Sequence, residues 1–447
     1  MEFDQYQKQA FEEVKSGKNV LITGPAGSGK SYLIQEIKKY FNGYDESGIN
    51  IKDKARVTAM TGCAALLLGK AQTFHKWSGF DVQTIESKLY SEMERIELLA
   101  NIIISKKSCQ NWLNTKVLII DEASMMDAKL LELLHCLGVY IRCESKNFDP
   151  KKSKPFGGIQ VVLIGDLFQL PPVNKPFFFQ SHFFDDLIHF TIELKGRHRQ
   201  TDSRFIQLLD NIRTANITNE DISLCKSRSK SDGISTSGNN IYPTMLMNKR
   251  SEVDKINFEE LNKLSGESIH FPAKPIWNPE DTQNEANSKL SFLYSNSPTP
   301  KDLYLKKGAQ VMVTFNISEK IVNGSRGIII GFQDDNENYY PEILFSNGSR
   351  YVLKPIKIPH PEDYKTGFLQ IPLTLAWALT IHKSQGCTLE KACINASSAF
   401  ESGQIYVAMS RVPTLESLIF TSFDPKKIKA SKTVINFLKR KEIIFEN

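Results

Sequence analysis

Apolar positions follow two rhythms in the first half of the chain: short unbroken runs at Asn19–Thr23, Val117–Ile120 and Val161–Ile164, with helical spacings between them. Unbroken Val/Leu/Ile runs suit central parallel strands buried on both faces. Residues Ser31–Phe41 predict the clearest helix, because Leu33, Ile34, Ile37 and Phe41 fall on one face. Strand and helix in alternation predict a doubly wound α/β fold.

The second half is punctuated differently. Residues 145–158, with four lysines, two prolines and two glycines, predict an exposed loop, and polar stretches at about 226–240 and 278–301 predict insertions or linkers. Between 303 and 354, alternating segments (Ala309–Phe315, Gly327–Phe332, Glu342–Phe345, Arg350–Leu353) meet turns at Asn323-Gly324 and Asn347-Gly348. That pattern predicts a small β-barrel inserted in an α/β domain.

Composition narrows the class. A chain of 447 residues with 41% hydrophobic and 24% charged positions holds a sizeable core and excludes wholesale disorder. No apolar run approaches the roughly 18 to 20 residues of a membrane span. The start, Met1-Glu-Phe-Asp-Gln-Tyr6, has the order of neither a secretory signal nor a transit peptide, so the mature chain is expected to begin near Met1. Seven scattered cysteines with no C-x₂-C pair read as reduced thiols, not as a disulfide framework or a zinc module. The expected location is intracellular, nucleus or cytoplasm. A net charge of +6 is compatible with a polyanionic partner but decides nothing alone.

Chemistry enters at Gly24-Pro25-Ala26-Gly27-Ser28-Gly29-Lys30-Ser31, which matches G-x-x-x-x-G-K-[ST] between a predicted strand and a predicted helix. Glycines let backbone N–H groups curl around phosphate oxygens, Lys30 reaches the β/γ-phosphates, and Ser31 ligates Mg²⁺. An incidental Gly-rich turn is the bland alternative, which the flanking strand and helix disfavour. Such a site also needs a carboxylate at the end of a neighbouring strand. Val117-Leu-Ile-Ile-Asp121-Glu122 supplies two: Asp121 for the Mg²⁺ shell, Glu122 for the attacking water. Alone, an Asp-Glu pair is usually a solvated turn; the phosphate loop reverses that balance. A third strand end, Gly165-Asp166-Leu-Phe-Gln169-Leu-Pro-Pro172, brings Asp166 and Gln169 to the same edge, Gln169 being either a γ-phosphate sensor or a turn amide.

Together these blocks resemble the Pif-type (petite integration frequency) DNA helicases of superfamily one. The resemblance runs through Gln7, Gly24–Ser31, Met60–Ala65, Thr73–His75, Ile120–Met125, Pro155-Phe-Gly-Gly-Ile-Gln160, Gly165–Pro172 and Glu193–Gln200. It continues through Leu305–Met312, Val322–Gly327, Leu373–Gly386 and Gly403–Arg411. The Pro155–Gln160 and Trp377/His382–Gly386 blocks favour this branch over RecD-like and Dda-like relatives.

The resemblance implies two RecA-like domains with parallel sheets, at residues 1–192 and 193–447, closing on ATP. It also implies a strand-separating wedge at about 79–106 and a β-barrel at about 303–368. Gln7 matches the adenine-reading glutamine, and Gly386 lies in the loop linking nucleotide and DNA sites. Arg199 and Arg411 match the two arginine-finger positions, with Arg197 a rival to Arg199. DNA contacts fall to Thr61, Gly62, Thr73 and His75 in the first domain, and to Asn323, Gly324, His382, Lys383 and Ser384 in the second. Trp377 is either a base-stacking or a core residue. Two departures stand out: Lys76 where a small hydroxyl residue is usual, and His198 where Phe is usual.

The implied function is ATP-dependent 5′–3′ translocation on single-stranded DNA and unwinding of duplex DNA in replication, repair, recombination or telomere and genome maintenance. Its cofactors would be ATP and Mg²⁺, and its partners single-stranded and forked or tailed duplex DNA, with no membrane; the free protein is expected to be monomeric. A P-loop kinase is the enzymatic rival, but it gives no reason for a second half with its own arginine. A non-catalytic nucleic-acid binder is disfavoured by intact Lys30, Asp121, Glu122 and Arg411, and RNA stays open as substrate.

Overall fold

The computed structural model describes residues 3–43, 54–61, 64–65, 68, 71–80, 92–104, 108–142, 149–172, 174–198, 200, 202–229, 241–318, 321, 323–335, 338–360, 363–385, 388–399 and 401–445. They group into two compact units, Met1–Arg199 with Ser431–Asn447, and Gln200–Ala430.

The first unit is built on six parallel strands: β1 (Val20–Thr23), β2 (Ala55–Ala59), β3 (Gln72–Thr73), β4 (Val117–Asp121), β5 (Gln160–Gly165) and β6 (Phe190–Glu193). Their order is β3-β2-β4-β5-β1-β6. All four residues of β1 and the first four of β4 are buried, which is why these runs show no polar alternation. Helix α1 (Gln5–Lys15) precedes β1, and α2 (Lys30–Asn42) follows it. Leu33, Ile34 and Ile37 of α2 join Val20, Ile22, Ile119, Val162 and Ile164 in one core cluster. Short α3 (Phe74–Ser78) leaves β3; α4 (Glu92–Ile104), α5 (Ser108–Asn114) and α6 (Ala128–Arg142) follow in order.

The second unit carries a four-stranded parallel sheet, Ala378–Thr380, Thr244–Met247, Ala392–Asn395 and Leu418–Ser422 in spatial order. Antiparallel strands form its other part: a five-stranded sheet of Arg350–Val352, Asn338–Phe345, Arg326–Asp335, Gln310–Val313 and Leu373–Leu375, and a three-stranded sheet of Ile356–His360, Asp363–Gln370 and Lys274–Ile276. The alternating segments predicted between 309 and 353 thus lie in or beside β-strands.

One expectation differs from what is seen. Residues 278–301 are not a linker: Gln283–Asn296 is a helix with a Thr282/Glu285 capping box. Its polarity misleads because only Ala286, Leu290 and Leu293 are buried, at spacings of four and three. The first compact unit runs to Arg199 and takes in residues 431–447. There Phe437, on the helix Lys432–Phe445, stacks on Phe179 at 4.2 Å and meets Phe184 edge-on. On the same helix Arg440 and Lys441 form ion pairs with Asp185.

Candidate functional site

Sheet order decides which strand ends meet. β5 lies between β1 and β4, with Thr23 level with Gly165 and Ile120 level with Leu163. Loop 24–29, Asp121-Glu122 and Asp166–Gln169 therefore leave one carboxyl edge, where open α/β sheets bind ligands. Gly165 permits this crowding, since a Cβ there would stand 2.9 Å from the Ala123 nitrogen.

The phosphate loop is held by its carbonyl oxygens. Lys30 Nζ donates to Gly24 O at 2.9 Å and to Pro25 O at 2.8 Å. Arg197 Nη1 donates to Ala26 O at 3.1 Å, the His198 N–H to Gly27 O at 2.8 Å, and Gln7 Nε2 to Ser28 O at 3.3 Å. Five consecutive carbonyls thus accept from donors outside the loop or at its end. Gly27 and Gly29, at φ +84° and +80°, make the left-handed bends that α2 and the loop require. Buried Ser28 Oγ has no hydrogen-bond partner, while Ser31 is exposed at the start of α2. Gln7 also closes the α1 capping box: its N–H donates to Asp4 Oδ1 at 2.8 Å and its Oε1 accepts from the Asp4 N–H at 3.1 Å.

Burial pushes the Asp121 carboxyl up to about 6, against the Glu122 backbone N–H and the Lys30 charge, which both favour the ionised form. Glu122 follows at φ +54°, a left-handed conformation that costs a non-glycine residue on the order of 1–3 kcal/mol. Strain of this kind re-aims a side chain where a strand ends. Asp166 and Gln169 are buried, with the Gln169 N–H donating to Asp166 O at 2.9 Å.

Thr61 and Thr73 lie at the same edge, Thr73 level with Ala59 and Thr61 two residues beyond it. Both hydroxyls accept backbone N–H groups, Thr61 from Ala64 at 3.2 Å and Thr73 from Lys76 at 3.3 Å, the latter capping α3. Burial holds the His75 imidazole below its usual range; Asp127 opposes this and Lys175 adds to it. Gly62, Arg199 and Gly386 lie outside the described residues, as do the side chains of His382 and Lys383.

In the second unit, Asn323 donates its N–H to Asn316 Oδ1 at 2.8 Å, and Gly324 donates to Val313 O at 2.9 Å. Gly324 has φ +95°, and a Cβ there would collide with Thr388 O. His382, Lys383 and Ser384 form one helical turn, Ile381–Ser384. Ser384 is fully buried, its hydroxyl donating to Ile381 O at 2.8 Å, so it serves its own turn. Arg411 is 2% exposed and donates to Val407 O, Ser384 O and Ser410 Oγ. Trp377 belongs to the core.

Sequence reasoning missed Arg326. Its guanidinium is 1% exposed and donates to Tyr242 O at 2.7 Å and Thr244 Oγ1 at 3.2 Å, while Nε has no hydrogen-bond partner. Burial pulls its pKa down to about 10. Gln310 ties the same strands, bonding both backbone groups of Tyr242 and also Ala376 O. Arg326 lies inside the Val322–Gly327 block, but its residue type gives no sign of burial. The Pro155–Gly158 block also has a structural explanation. The His135 ring accepts the Phe156 N–H at its Nδ1 and donates from Nε2 to Pro150 O, while Arg142 Nε donates to Gly157 O. Gly138 and Gly157 let the two backbones touch.

A family model described as PIF1-like helicase matches residues 2–223, and one described as DNA helicase Pif1, 2B domain, matches residues 290–332. The ATP-dependent DNA helicase PIF1 of Xenopus laevis is 35% identical over 441 residues, covering 96% of this chain and 63% of that protein. The chain thus spans about 63% of the length of this curated relative. The crystal structure of Pif1 helicase from Candida albicans is 32% identical, with a TM-score of 0.72 over 98% of this chain and 99% of that one. Bacteroides sp Pif1 in complex with ADP-AlF4 is 28% identical, with a TM-score of 0.78 over 99% and 97%. Matched in sequence along nearly its whole length and in both parallel-sheet units, the chain belongs to the PIF1-like helicase family.

Proposed function

We propose that the chain is an ATP-driven DNA helicase that moves 5′ to 3′ along single-stranded DNA and opens duplexes in genome maintenance. One observation carries the reading: a phosphate loop whose carbonyls are all capped stands on the same sheet edge as Asp121 and Glu122. Capped carbonyls leave the loop's amide dipoles and helix α2 to face an anion. The Bacteroides relative was solved with ADP-AlF4, and the Xenopus relative is named a DNA helicase, which supports nucleotide and DNA as ligands.

The residues fit a magnesium ion. Ser31 and Asp121 offer hard oxygen donors, and the described residues hold no cluster of three or more His, Cys, Asp or Glu, in keeping with an ion that keeps waters and phosphate oxygens as ligands. When bound, magnesium would neutralise charge on the phosphates. Lys30 exchanges its two carbonyl partners for phosphate oxygens, and Ser28 Oγ gains an acceptor. Glu122 takes the proton of the attacking water, Gln169 orients that water, and Arg411 supplies positive charge to the transferring group.

Thr61, Thr73, His75, Asn323, Gly324, His382 and Lys383 hold the DNA backbone, positioning a strand without reading its sequence, while Ser384 braces the turn that carries the last two. Residues of about 79–106 are read as the wedge and those of about 303–368 as the 2B insertion. Strand displacement tests the proposal, using one duplex with either a 5′ or a 3′ tail, ATP, Mg²⁺ and Lys30→Ala as control. Opening of the 5′-tailed substrate alone, lost in the variant, supports it; if neither substrate opens and hydrolysis ignores DNA, the kinase and binder readings replace it.

A further inference from the structure

We infer that Arg197 is a positioning residue of the nucleotide site, holding the phosphate loop in its anion-binding shape, and is not the charge delivered to the γ-phosphate. The inference rests on the reading that this loop binds ATP. β6 runs beside β1 with Glu193 level with Thr23, and the Leu194 N–H donates to Thr23 O at 2.8 Å. Residues 194–198 therefore continue alongside the loop. A Cβ on Gly24 would stand 2.9 Å from Leu194, and the His198 N–H closes the far end on Gly27 O.

Within this ribbon the Arg197 guanidinium reaches Ala26 O at 3.1 Å. Within a trans peptide plane the carbonyl and the following N–H point in opposite directions. Fixing Ala26 O toward Arg197 therefore turns the Gly27 N–H away from the guanidinium, and Gln7 on Ser28 O does the same for the Gly29 N–H. Both following residues are glycines with positive φ, whose peptides rotate easily, so an external hold has work to do there. A charged donor serves better than a neutral one because charge-assisted hydrogen bonds are about twice as strong. The groups packed around this rim include Asp4, Gln7 and His198, with His198 Nε2 at 3.7 Å from Asp4 Oδ2.

The test is steady-state hydrolysis and fluorescent-ADP binding by the full chain carrying Arg197→Ala or Arg197→Lys, with Lys30→Ala alongside. Arg197→Ala should raise the ATP KM and weaken ADP about tenfold while kcat stays within about threefold, and Arg197→Lys should recover most of the loss. A fall in kcat of about a hundredfold or more with ADP binding unchanged would make Arg197 the finger and overturn the inference. Unchanged KM and ADP affinity would overturn it as well. Full activity in Lys30→Ala would instead remove the ATP-site reading on which the inference stands.

Discussion

The phosphate loop of the first unit and the Arg326 cluster of the second both satisfy cations with backbone oxygens, yet they do opposite work. Lys30 and Arg197 stand partly exposed at an open strand edge, Lys30 proposed to exchange its carbonyls for a ligand's oxygens and Arg197 to keep Ala26 O in place. Arg326, at 1% exposure, donates to Tyr242 and Thr244, whose strand is also tied to Ala376. A buried guanidinium stripped of its acceptors is an uncompensated charge, so Arg326 stays on Tyr242 O and Thr244 Oγ1. The same chemical group is a working part when half-wet and a framework part when buried. Arg411 stands between these cases: proposed as a working charge, it is 2% exposed and must release three acceptors to act.

The contrast can be broken most severely at Lys30. Lys30→Ala should lower hydrolysis at least ~10³-fold, while denaturant unfolding shifts by no more than about 0.5 kcal/mol. Glu122→Gln should lower kcat ~10²- to 10⁴-fold with ADP binding retained, checked by titration of fluorescent ADP. Arg326→Ala should reverse the signature, costing on the order of 3 kcal/mol in urea unfolding because a cavity remains and Tyr242 O and Thr244 Oγ1 each lose a buried donor. Equal stability of the Lys30 and Arg326 variants would erase the distinction.

The smallest effect belongs to Asp121. Its carboxyl lies at about 6 in the folded chain against an ordinary 3.8, so between those values the folded state binds more protons than the unfolded one. Its contribution to stability is therefore present below pH 3.8 and lost as pH rises through about 6. Asp121→Asn should stabilise the nucleotide-free protein at pH 7.5 by on the order of 1 kcal/mol while removing Mg²⁺-dependent hydrolysis. In the parent, kcat/KM should fall as pH drops below about 6, where Asp121 takes up a proton.

The first unit was legible because its site is local. Gly24–Ser31 and Val117–Glu122 each state a strand, its end and the group presented there. Sheet order was not legible: nothing in the chain says that β5 separates β1 from β4, or that residues 194–198 return to cap loop carbonyls. The helix Gln283–Asn296 was hidden by a buried stripe only three residues wide. Arg326 and His135 were hidden because burial, not residue type, gives them their roles, and burial is a property of the folded chain. Ser384 shows the converse: its block carried the resemblance, but its hydroxyl is spent on its own helical turn.

The most direct test of an ATP-driven DNA motor is the hydrolysis rate of the purified chain with and without a single-stranded oligonucleotide, at several salt concentrations. The account predicts stimulation of tenfold or more that weakens steeply with salt, as expected of a grip on phosphates, and no activity in Lys30→Ala. Hydrolysis that persists at the same rate with and without DNA at every salt concentration would contradict it.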